Sequence, residues 1–172
     1  IPELTRKIAR RAITLLSNQN PEFFPLQNTA NKKAAIVGIG AKAETPFISG
    51  LKQLSNADIF YFDYAAGDSE LNTLIAKLNK YDRIVLSYHS MSRSPASNFG
   101  LSKNAIRLPA LLKTKPRLIV LFGNAYAVKN FCDEKNLVVC YEDGVVIQQT
   151  AVELLSGQYP FKGSLPVGAC EK

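Results

Sequence analysis

One alternation runs through the chain and restricts what it can fold into. Five short runs rich in Val, Ile, Leu and aromatic residues recur: AAIVGI from Ala34, ADIFYF from Ala57, RIVLSY from Arg83, RLIVLF from Arg117 and LVVCY from Leu137. Each is almost continuously apolar, as strands buried on both faces of a parallel sheet are. Between them stand helix-start signals: Thr45-Pro46 before FISGLKQL, Asp68-Ser69 before ELNTLIAKLNK, Ser102 before KNAIRLPALLK, and Asn124 before a short AYAVKNF segment. Strand alternating with helix predicts an α/β fold, a three-layer α/β/α sandwich with a mostly parallel sheet of the flavodoxin-like kind.

Pro109 is the awkward residue, because a proline inside RLPALLK would break a helix. The reading is therefore an element that starts only near Leu108, after a long loop. The first residues, PELTRKIARRAITLLS, read as one helix, and the Pro- and Asn-rich NQNPEFFPLQNTANKK after it as a connector.

With 172 residues, 47% of them hydrophobic, the chain can bury one core and is short for two. Residues 1-172 are read as a single domain. Its start, IPELTRKIARR, has neither an initiator Met nor a signal-peptide pattern, so the expectation is a piece of a longer protein. No apolar stretch approaches the roughly 20 residues of a membrane span. The net charge of +7 is spread rather than clustered, which argues against nucleic acid. RKIARR, the densest group, reads as a solvated helix face beside Leu4, Ile8, Ala12 and Leu15.

Cys132, Cys140 and Cys170 form no CxxC, and with one histidine a metal site is not expected. Cys132 and Cys140 read as buried small hydrophobes, and the odd count leaves the redox compartment open.

Several segments could carry chemistry. Gly38-Ile-Gly-Ala-Lys-Ala43 fits GxGxxA, with Asp63 at the end of the next strand, as a dinucleotide site would need. The best helix start is several residues later, at Thr45-Pro46, and Glu44 and Glu22 add no help for an anion. A plain turn is the preferred reading, with small-molecule or nucleotide binding as the alternative; no cofactor is expected. The loop SYHSMSRSPASNFG after Arg83–Tyr88 holds the only histidine, His89, with Arg93 and Asn98, and contains no Asp or Glu. A Ser/His/Asp triad would need an acid such as Asp63 or Asp68 from elsewhere, and GxSxG is absent. Gly123 and Asn124 suit a turn or helix cap, and Tyr126 and Val128 suit either the buried face of the helix after it or an interface. Glu142 and Asp143 read as favourable charges and an N-cap at the start of VVIQQTAVELL.

Taken in order, RRAITLLSNQNPEFFPL, GIGAKAETPF, LIVLFGNAYAV and YEDGVVIQQTAVELLSGQYPFKGSLPV resemble the C-terminal α/β sandwich domain of glycoside hydrolase family 3. The ending is the most specific part. Gly157 can take the left-handed conformation that stops a helix, while Pro160 and Pro166 stiffen a tail whose Tyr159, Phe161, Leu165 and Val167 can dock on the domain. The resemblance implies an upstream (β/α)8 barrel in the same parent chain, carrying the aspartate nucleophile of a retaining mechanism. Family members of the glucosidase type place an acid/base carboxylate on the loop that matches Ser87 to Asn104, and this chain has none there. The resemblance is therefore to the β-N-acetylhexosaminidase type, in which a His/Asp pair of a barrel loop serves. It implies an accessory domain without catalytic residues, with His89, Arg93, Asn98 and Asn124 as substrate-loop candidates. The parent's substrate would be a terminal N-acetylglucosaminide, such as a peptidoglycan or chitin fragment, in the periplasm or at the cell surface. Ala169 to Lys172 would lead on to any further C-terminal domain.

Overall fold

The computed structural model describes residues 2–20, 23–27 and 31–170. Glu22, considered for its charge, and the last two residues, 171–172, lie outside them. The sheet has six strands: β1 (Thr14–Asn18), β2 (Ala34–Ile39), β3 (Asp58–Phe62), β4 (Arg83–Tyr88), β5 (Arg117–Leu121) and β6 (Asn136–Val139). Their order is β1-β6-β5-β4-β2-β3, with β2 through β6 parallel and β1 antiparallel to β6. Leaving β1 aside, this is the flavodoxin-like order, and the chain switches direction between β2 and β4.

Alternation along each strand builds two cores. Val37 and Ile39 of β2, Leu86 and Tyr88 of β4, and Ile119 and Leu121 of β5 point to one face. There they meet α3 (Asp68–Leu78) and α4 (Lys103–Leu111). Ile36, Val85, Val120 and Val138 point to the other, against α1 (Pro2–Ala12), α2 (Pro46–Ser55) and α5 (Val145–Leu155). Both faces are covered, as continuous apolar runs require. No helix among the described residues is long and apolar enough to cross a membrane.

Three local expectations are corrected. The first helix ends at Ala12, and Thr14–Asn18 is a strand. The β-branched pair Ile13-Thr14 favours extended backbone, and pairing with β6 outweighs the helical spacing. The RKIARR face is not simply solvated: Arg6 and Arg10 turn toward α5 and clasp Glu153 at 2.6 and 2.8 Å, and Arg10 stacks on Tyr159 at 3.8 Å. Lys7 and Arg11 stay exposed, and with them the apolar Leu4 and Ile8, 62% and 59% exposed.

Pro109 sits inside α4, which begins at Lys103 with Ser102 as its cap. A proline cannot donate to the carbonyl four residues back, here Ala105. Tyr88 replaces the missing donor, its hydroxyl giving a hydrogen bond to Ala105 O at 2.7 Å. Burial of Tyr88 raises its pKa well above the usual value, so the hydroxyl remains a donor.

The tail expectation holds at its start. Gly157, at φ +81°, ends α5 in a Schellman motif, with Gln158 N–H on Glu153 O and Gly157 N–H on Leu154 O.

Removing the Tyr88 hydroxyl with Tyr88→Phe should cost about 1–3 kcal/mol in denaturant unfolding, because the Ala105 carbonyl is left buried and unpaired. In a Pro109→Ala background the restored N–H should recover most of that loss. Equal costs in both backgrounds would show that the hydroxyl does not substitute for the missing donor.

Candidate functional site

The carboxyl ends of the strands gather at one edge, and at the switch between β2 and β4 a crevice of about 720 Å3 opens. Its walls are the Gly40–Thr45 turn, Asp63, Tyr64, His89, Ser90, Asp143 and Gln148. A second hollow of about 610 Å3 lies beside it, between the Met91–Arg93 segment, Gly123, Asn124 and Glu142. Asp143 borders both.

Asp143, expected at the start of α5, turns back toward β4 instead. It is not the N-cap of α5, which is Gly144. Its Oδ1 lies 3.0 Å from His89 Nδ1, its Oδ2 accepts from Ser90 N at 2.8 Å, and Gln148 Nε2 donates to Oδ1 at 2.8 Å. Gln148 in turn accepts from Phe47 N of α2 at 3.1 Å. On the far side His89 Nε2 is 3.0 Å from Ser87 Oγ. The acids first considered as partners are committed elsewhere: Asp63 holds its own turn through Ala65 N, and Asp68 pairs with Asn104 and Arg107.

Ser87, His89 and Asp143 therefore stand in the order of a hydrolytic triad. Accessibility decides against that chemistry, because Ser87 is 0% and His89 1% exposed. The serine also faces Val37 O at 3.3 Å, and the imidazole is stacked on Phe122 with ring centroids 4.8 Å apart. A nucleophile must reach its substrate, and this one is sealed inside the sheet. The chain of bonds ties β4 to α5 and α2.

The glycine-rich turn is likewise built for packing. Gly40, at φ +77°, faces His89 O and the Tyr64 ring so closely that a Cβ would lie 2.5 Å from that carbonyl. Tyr64 donates to the same carbonyl at 2.7 Å, and burial raises its pKa far enough to keep it protonated. The first N–H groups of α2 already have acceptors: Phe47 N on Gln148, Ile48 N on Thr45 Oγ1 and Ser49 N on Thr45 O. Pro46 has none to give. A phosphate would find no free donor at this helix start.

The loop after His89 is exposed but firmly pinned. Ser92 N donates to Phe99 O at 2.8 Å, Asn98 and Asn130 exchange amide hydrogen bonds at 2.9 and 3.1 Å, and Asn124 Nδ2 holds Arg93 O at 3.2 Å. Ser97, Asn98 and Phe99 all have φ between 50° and 60°, a left-handed turn closed by Gly100. Each such residue costs about 1–2 kcal/mol, and here buried Phe99 anchors them. Arg93 is exposed and makes no ion pair among the described residues.

Of the four candidates, the structure brings Arg93, Asn98 and Asn124 into this one surface and places the His89 ring beneath it. Asn124 also caps the short 3-10 helix Ala125–Asn130 through Tyr126 N. Val128 in that helix is buried as expected, but Tyr126 is 56% exposed, because residues two apart on a helix do not share a face.

Cys140 is buried, as read, whereas Cys132 is bonded to Cys170 in a disulfide. The two cysteines are 38 residues apart, and spacing alone did not pair them.

No sequence-family model and no curated protein matches the chain. Solved structures do. A glycoside hydrolase family 3 β-N-acetylglucosaminidase from a Paenibacillus species superposes with a TM-score of 0.75 at 17% identity, over 99% of this chain and 33% of that one. A fungal multi-domain family 3 β-N-acetylglucosaminidase gives 0.71 at 17%, over 98% and 19%. A β-glucosidase from Listeria innocua gives 0.67 at 18%, over 94% and 26%. The chain has the fold of one part of these family 3 enzymes. It spans a fifth to a third of their length, consistent with the C-terminal sandwich domain of the resemblance.

Asp143→Ala should take away the acceptor of Ser90 N and the partner of His89 Nδ1, while Gln148 Nε2 keeps the main-chain oxygen of residue 143, and should lower stability by about 2 kcal/mol, or about 4–8 °C in Tm. Ser87→Ala should cost about 1–3 kcal/mol as well, because buried His89 Nε2 loses its partner, and neither protein should turn over an aryl ester. Ester hydrolysis that disappears with Ser87 would restore the triad reading.

Proposed function

We propose that the chain is a non-catalytic accessory domain of a family 3 β-N-acetylhexosaminidase, packed against a (β/α)8 barrel that hydrolyses terminal N-acetylglucosaminides. One observation carries the reading: the match covers nearly all of this chain and a minor part of far longer glycosidase chains, two of which are β-N-acetylglucosaminidases. The lack of any carboxylate between Ser87 and Asn104 favours that type over the glucosidases, since the loop has nothing to act as a general acid.

Two surfaces fit the packing role. Leu4 and Ile8 are exposed side by side on α1 among Lys7 and Arg11, an apolar pair that isolated domains tend to cover. At the strand ends, the pinned loop offers Arg93 and its hydroxyl-bearing neighbours to whatever lies opposite. A loop already fixed in shape loses little conformational entropy on contact. The barrel performs the bond cleavage in this scheme, while the loop shapes or closes its rim. A disulfide supports a parent that matures outside the reducing cytosol.

The chain expressed alone should not hydrolyse an aryl N-acetylglucosaminide, whereas the full protein should. In the full protein, Arg93→Ala should lower kcat/KM roughly tenfold, mostly through KM, or loosen the contact between the domains as seen by cross-linking. If both kinetics and cross-links were unchanged, the loop would have no part in the assembly.

A further inference from the structure

The segment that leaves α5 is used by neither the site nor the proposed packing. From Tyr159 to Ala169 it alternates: Tyr159, Phe161, Gly163, Leu165, Val167 and Ala169 are half-buried, and the residues between them are exposed. Tyr159 and Phe161 belong to the core on the α5 face, where Phe161 meets Phe24 edge-on at 5.9 Å. Leu165, Ala169 and Cys170 belong to the core on the opposite face. The tail thus passes from one side of the sheet to the other.

It crosses at Gly163. A Cβ there would strike the main-chain oxygen of Ala12 and lie 2.6 Å from Ile13 O and Thr14 Oγ1. These residues lead into β1, the outermost strand on that side of the sheet. An uncovered edge strand is a template for pairing with other chains, and here the tail lies across its start.

What holds the tail is unusual. Among the described residues, 159–170 make no main-chain to main-chain hydrogen bond. Half-buried side chains fasten it along its length, and the Cys132–Cys170 disulfide fastens its end.

We propose that this disulfide is a redox latch: closed, it keeps the tail strapped over the β1 edge, and reduction frees the strap while the rest of the sheet stays folded. In the opening step a dithiol attacks the S–S bond, which takes up two electrons and two protons to leave Cys132 and Cys170 as thiols, and the dithiol departs as its own disulfide. Cys140 takes no part, being buried with its thiol pKa raised by desolvation. The latch stays shut only in an oxidising compartment.

The test uses the full protein purified without reductant. A lysine-specific protease is added, the cut after Lys162 is followed by mass spectrometry, and hydrogen exchange is read at Leu15–Asn18. After dithiothreitol, and in Cys170→Ser without it, the cut should be roughly tenfold faster and β1 should exchange faster, while β4 and β5 stay protected. Cys140→Ser should respond to dithiothreitol as the parent does. An unchanged cut would overturn the latch, because the strap would then not depend on the bond. Loss of protection in β4 and β5 together with β1 would overturn it too, by showing a staple of the whole fold. Should Cys170→Ser fail to accumulate, the reductant arm on the unmutated protein decides alone.

Discussion

The structure turns on the last residues of β4. Side chains on a strand alternate between faces, so Tyr88 and its neighbours Ser87 and His89 are sent in opposite directions. Tyr88 goes to the α3–α4 side and donates to the carbonyl that Pro109 leaves without a partner. His89 goes to the other side, meets Asp143, and through Gln148 reaches the first turn of α2. One strand end therefore anchors a helix layer on each face, through a buried hydrogen bond from Tyr88 and a part-buried one from His89. The surface loop begins at Ser90, directly after this fixed point, with its first N–H on Asp143.

The central strands could be read because burial on both faces leaves almost only apolar residues in them, and no helix surface would look the same. Thr45-Pro46, Ser102 and Gly157 were legible for a similar reason, since each has a conformational role that does not depend on distant contacts. Where the outcome rests on residues far apart in the chain, the reading fell short. Thr14–Asn18 becomes a strand because β6 lies beside it, and Pro109 stays helical because Tyr88 stands underneath. Asp143 looks like a helix cap from its place before VVIQQT, and only the fold brings it to His89, 54 residues away. The disulfide is the same case, since a tail that winds back across the sheet cannot be seen in the spacing of cysteines.

The GxGxxA turn shows how the same residues serve two physical purposes. In a dinucleotide site the glycines clear space for a pyrophosphate and the helix offers its N–H groups. Here the space over Gly40 is taken by Tyr64 and the carbonyl of His89, and the N–H groups are taken by Thr45 and Gln148. Gly40 is required for protein packing, which makes the pattern uninformative about ligands.

The left-handed turn at Ser97–Phe99 is the opposite case, a costly backbone at an exposed loop. Three consecutive side-chain-bearing residues in that region cost several kcal/mol by the usual figure of about 1–2 each, and a simple surface connection could avoid it. The cost is met by burying Phe99, by pairing the Asn98 and Asn130 amides, and by setting Lys129 over the Phe99 ring at 5.6 Å. All of these hold the loop from beneath, and none engages the exposed side chains from Ser92 to Ser97. A loop so supported, with Arg93 making no ion pair among the described residues, has its shape fixed before anything binds and would lose little conformational entropy on contact.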